Sequence, residues 1–118
     1  GEIGEGHSTI ALYEIELKES ELAEFYFKTS LRYKDVKTNE NKENICKIDN
    51  IKQASNDLIF ASYVVEFALI LRDSKYKGDS SYTHLLNRIN KDILNDEYKE
   101  EFLSLVNRAN KNYTLTID

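Results

Sequence analysis

"SNDLIFASYVVEFALILRD", residues 55–73, is where the chain stops alternating and begins to wind. Ser55 or Asn56 offers a side-chain oxygen to free backbone N–H groups, which predicts a helix from about Asp57 to Asp73. Its apolar residues run nearly all the way round: Leu58, Ile59, Phe60, Tyr63, Val64, Val65, Phe67, Leu69, Ile70 and Leu71. Only Ser55, Ser62, Glu66 and Asp73 form a polar stripe, aligned by spacings of four and seven. A helix this apolar has to be central to its fold. Glu66, set in greasy surroundings, is the one residue here with the makings of a tuned acid, and its place on the stripe favours solvent or a basic partner instead.

Downstream the helical period continues. A second helix begins near Ser80 or Ser81 with Tyr82, Leu85, Leu86, Ile89 and Ile93 on one face. A third begins near Asn95 or Asp96 with Tyr98, Phe102, Leu105, Val106, Ala109 and Tyr113. Upstream the period is two. "STIALYEIEL" (8–17) sets Ala11, Tyr13, Ile15 and Leu17 against Ile10, Leu12, Glu14 and Glu16. "EFYFKTSLRYKD" (24–35) sets Phe25, Phe27, Thr29, Leu31 and Tyr33 against Tyr26, Lys28, Ser30, Arg32 and Lys34. Residues 35–44 read as a polar loop and "ICKI" as a short third strand. The expectation is one α+β domain over residues 1–118: two or three N-terminal antiparallel strands at about 8–52, then a three-helix half at about 55–113. So few strands leave edges and a face uncovered, and Ile10 and Leu12 need cover.

Composition narrows the function. A net charge of -5, with lysines scattered among carboxylates, argues against a nucleic-acid surface. No apolar run is long enough to span a bilayer. The single cysteine, Cys46, can form neither an internal disulfide nor a zinc site by itself. No signal peptide is visible, but the absence of Met and a first residue of Gly read as a piece of a longer chain. The lack of Pro and the abundance of Asn, Lys and Ile fit an AT-rich bacterial genome.

Candidate sites weigh out as architecture. "DSSYT" (79–83) approximates an Asp-x-Ser-x-Ser cation motif, but that motif needs a buried strand before it. Here Asp79, Ser80 and Ser81 follow a turn at Gly78 and supply a helix cap. An anion at that helix start would meet Lys75 and Lys77, opposed by Asp73 and Asp79. "GEIGEG" lacks the spacing and the flanking strand and helix of a dinucleotide fingerprint. His7, His84 and Cys46 form no nucleophile constellation. No catalytic residue, metal site or cofactor is expected.

Three stretches together resemble a known family: "GEIGEGHSTIALYEI" (1–15), "LRYKD" (31–35) and "FASYVVEFALILRDSKYKGDSSY" (60–82). They are similar to the C-terminal region of bacterial von Willebrand factor type A domain-containing proteins. The resemblance implies a parent with an N-terminal segment, a metal-binding type A domain and then this region, exported or anchored in the bacterial cell envelope. It implies a non-catalytic accessory domain that packs on the type A domain or the N-terminal segment in support of adhesion or protein–protein interaction. The expected contacts are Ile10, Leu12 and Tyr26 on the strands with Ile59, Glu66 and Leu69 on the helix. The rival expectation is an independent protein- or glycan-recognition module using the 72–82 loop, through Arg72, Lys75, Tyr76 and Lys77.

Overall fold

The computed structural model describes residues 3–4, 6–17 and 27–117, with side chains to Tyr113. Its elements run β1 (Phe27–Lys34), β2 (Asn41–Ile48), α1 (Asn56–Leu71), α2 (Tyr82–Arg88), a 3-10 turn (Lys91–Ile93) and α3 (Glu97–Ile117). Two antiparallel strands precede three helices, an α+β arrangement. Two compact units result, Gly1–Leu12 with Ala54–Asp118 and Tyr13–Gln53.

The second unit is built on the β1–β2 hairpin, in register from Phe27 opposite Ile48 to Lys34 opposite Asn41. Asp35 makes the connection. Its Oδ1 accepts from the Lys37 and Thr38 amides at 2.9 and 3.1 Å, and Lys42 pairs with its other oxygen. Asn39 closes the turn at φ +59°, a left-handed conformation that its short polar side chain tolerates. The register gathers Phe27, Leu31, Tyr33 and Ile48 on one face with Thr29 and Cys46. On the other face Glu43 accepts from Ser30 and from Arg32 Nε, the latter at 3.1 Å.

Two strand expectations change. Residues 8–17, predicted as a strand, pair with no strand among the described residues and lie exposed up to the half-buried Leu17. Alternation suits a half-buried extended chain, but a ladder requires a partner that local sequence does not specify. Conversely, β2 reaches back to Asn41, so the predicted polar loop shrinks to a turn and "ICKI" is the second half of a longer strand. Residues 24–26 of the second predicted strand, Tyr26 included, lie outside the described residues.

In the first unit, Ser55 caps α1 by accepting from the Leu58 amide at 3.2 Å. The helix stops at Arg72 with a left-handed Asp73 (φ +49°), and Ser74 N–H then returns to Leu69 C=O at 2.9 Å. This is the Schellman geometry with aspartate where glycine is usual. The core joins Tyr63 and Ile70 of α1, Tyr82 and Leu85 of α2, Ile89, Ile93 and Leu94 of the connection, and Phe102 and Val106 of α3. Phe102 receives Phe60 at 5.3 Å and Phe67 at 5.6 Å, both edge-to-face, the orientation that ring quadrupoles favour. Helix α2 ends a turn sooner than the apolar pattern implied. Ile89 and Ile93 stay buried because the 3-10 turn carries the chain along the same face.

Candidate functional site

Besides the Lys99 group with Asp57, Asn95 and Asp96, two polar clusters on the helical unit are candidates for a site. The first surrounds Glu66, whose carboxylate faces α2 with its side chain only 10% exposed. His84 Nδ1 lies 3.2 Å from Oε1 and Arg88 Nη1 lies 3.0 Å from Oε2. The arginine approaches Oε2 off the line of an N–H bond, so this contact is an ion pair rather than a directed hydrogen bond. Ser62 Oγ donates to Ile59 C=O at 2.6 Å and accepts from Arg88 Nη2 at 3.4 Å. The guanidinium also sits 5.5 Å from the Tyr63 ring centre. A carboxylate that accepts from Nδ1–H orients the imidazole. The cluster ties α1 to α2, and the serine proton is already committed to a backbone carbonyl.

Sequence reasoning named Glu66 and left it to solvent or a basic group, without identifying the partners themselves. A signal was present. His84 and Arg88 stand four apart on α2, as Ser62 and Glu66 do on α1, so each pair shares a helix face.

The second place is the 72–82 loop and the end of α3. Two adjoining grooves of about 540 and 580 Å³ share Leu71, Tyr82 and Tyr113. Asp73, Lys77 and Ser80 line the first, and Phe67 and Arg108 line the second. Lys77 Nζ lies 2.5 Å from Asp73 Oδ1, which holds the Asp73 carboxyl below the usual carboxylate range and raises the Lys77 ammonium. Lys75 lies over the exposed Tyr76 ring at 4.9 Å, and Arg72 is exposed. Gly78 takes φ +56°, a value that suits glycine. Ser81, not Asp79 or Ser80, caps α2 by accepting from the His84 amide at 3.1 Å.

Of the expected contact residues, Ile10 and Leu12 are exposed, while Ile59 is half-buried against the core. Leu69 is half-buried, and Glu66 is turned into its own unit. Among the described residues no three His, Cys, Asp or Glu side chains gather as a metal-holding group. No helix among them is long and apolar enough to cross a membrane.

The chain is thus an α+β arrangement whose helical unit encloses a carboxylate between α1 and α2. The chain belongs to the family described as "Uncharacterized protein YfbK, C-terminal", whose model matches residues 19–111. No curated protein and no solved structure matches it.

Proposed function

We propose that this chain is a non-catalytic, cofactor-free accessory domain of a longer bacterial envelope protein, docking on that parent's type A domain or N-terminal segment. The supporting observation is the hairpin face on which Phe27, Leu31, Tyr33 and Ile48 stand among Thr29, Lys42, Asn44 and Cys46. Both strands are exposed along their length apart from the half-buried Phe27. A lone two-stranded hairpin is at best marginally stable in water, and large apolar side chains left exposed on one of its faces favour a surface that is covered in use. The family description, a C-terminal region, accords with a neighbour lying earlier in the parent. The resemblance of residues 1–15, 31–35 and 60–82 to regions that follow a type A domain supports such a domain as that neighbour.

The test is co-elution of this chain with the rest of its parent, expressed separately, on a sizing column. A complex that Leu31→Glu and Ile10→Glu/Leu12→Glu each weaken is expected. Separate elution of two folded pieces would remove the reading. In the joined parent, charges at Ile10 and Leu12 should lower stability more than in the isolated chain, and equal losses would count against an interface there.

A second reading, recognition of an external protein or glycan, draws on the grooves beside the 72–82 loop. They combine the exposed Tyr113 ring with the Asp73 carboxylate and the Ser80 hydroxyl, groups that stack on and hydrogen-bond to sugars or peptides. Pull-down from envelope extract, repeated with Lys75, Tyr76 and Lys77 changed to Ala, tests it. An unchanged set of captured partners rejects it.

A further inference from the structure

Helix α1 carries a pattern on its outer side that the core does not use. Outward from the Val64–Val65 pair the positions repeat in mirror order: Val64 with Val65, Ala61 with Ala68, Leu58 with Leu71, and Asp57 with Arg72. The members of each pair stand at equal distances from the midpoint, and the last pair is opposite in charge. At 3.6 residues per turn these positions fall within an arc of about 140°. That arc lies away from the buried Tyr63, Glu66 and Ile70. Leu58, Val64, Val65 and Leu71 are 47%, 40%, 39% and 61% exposed.

A two-fold axis across the helix at that midpoint sets residue i against j of the second copy and j against i, so here small residues meet small ones and Asp57 meets Arg72. Opposed alanines let two helix axes approach to the near end of the usual range, about 8 Å. The leucines then flank the seam. At each end Asp57 of one copy meets Arg72 of the other, and the two helix dipoles run antiparallel. A parallel pairing would instead set Asp57 against Asp57 and Arg72 against Arg72. Asp57 also lies 3.3 Å from Lys99, but its side chain is 90% exposed and open to a further partner.

We infer that α1 is a self-association surface, through which two copies of this chain pair antiparallel about an axis between Val64 and Val65. The surface shares no residue with the hairpin face, so the inference stands or falls independently of the accessory-domain reading. Sixteen residues make a helix about 24 Å long. Its contact is smaller than the roughly 800 Å² per partner of a standard interface, so the dimer is a weak, exchanging one.

Sedimentation equilibrium of the 118-residue chain, from about 10 µM to about 1 mM, tests it. The mass should rise from one chain toward two. Ala68→Glu, at an exposed position, should keep the chain monomeric with its circular-dichroism melt unchanged. Asp57→Lys and Arg72→Glu should each weaken the dimer roughly tenfold, and the double exchange should recover most of that loss. A one-chain mass throughout, a dimer indifferent to Ala68→Glu, or a double exchange no better than the weaker single variant would each overturn the inference.

Discussion

Arg88 stands 3.0 Å from Glu66 and is the cation that a carboxylate enclosed between α1 and α2 depends on. Removing one partner of an enclosed pair costs more than the pair contributes, because the remaining charge keeps its desolvation penalty. Arg88 is half-exposed, which tempers the effect. Arg88→Ala should therefore destabilise the chain by about 1–3 kcal/mol in urea unfolding, and adding Glu66→Gln should restore part of that. A double variant as weak as Arg88→Ala alone would show that the lost stability is arginine packing rather than the stranded carboxylate.

Tyr63 fastens the same two helices through neutral groups. Its hydroxyl donates to Arg88 C=O at 3.1 Å and accepts from Asn90 N–H at 3.2 Å, satisfying the backbone where α2 ends. Tyr63→Phe leaves both without that partner and should cost about 1–3 kcal/mol. Hydrogen exchange should quicken at the Asn90 amide first. Unchanged protection there would mean that the 3-10 turn holds itself.

Leu85 and Val106 are the two fully buried side chains of the helical core. Leu85→Ala should cost about 2–5 kcal/mol, whereas Leu105→Ala, at an exposed position on α3, should cost far less. Comparable losses in thermal unfolding would mean that the outer face of α3 is also packed in solution.

The hairpin turn should respond to acid. Lys42, then the Thr38 and Lys37 amides, hold the Asp35 carboxyl below its ordinary value. A folded-state value lowered in this way gives stability that is complete above the ordinary aspartate value and disappears as pH falls through the lower one. The amide shifts of Lys37 and Thr38, followed by NMR down to about pH 2, should titrate together with a midpoint below about pH 4. A midpoint above that would indicate that the Asp35 turn is not populated in solution.

At the start of α2, Ser81→Ala removes the oxygen that accepts from the His84 amide and should cost about 1 kcal/mol, while Ser81→Asp should retain the cap. Equal losses in the two variants would point to packing of Ser81 in the neighbouring groove as the cause.

Local chemistry in the sequence was enough for the helical half. Ser55 and Ser81 cap helices because a hydroxyl before a run of free amides is a short-range arrangement, and α1 and α3 follow from contacts three and four residues apart. The β1 alternation was likewise legible from Phe27 to Lys34. Tertiary structure decided what depends on distant partners. The polar residues Asn41–Asn44 become strand because Leu31–Lys34 lies opposite to complete their ladder, and residues 8–17, which also alternate, pair with nothing among the described residues. The direction of Glu66 was undetermined for the same reason. Its stripe on α1 could have met water or a basic group, and α2 settles this by bringing the Arg88 guanidinium to 3.0 Å and the His84 ring to 3.2 Å, which makes enclosure of the carboxylate tolerable.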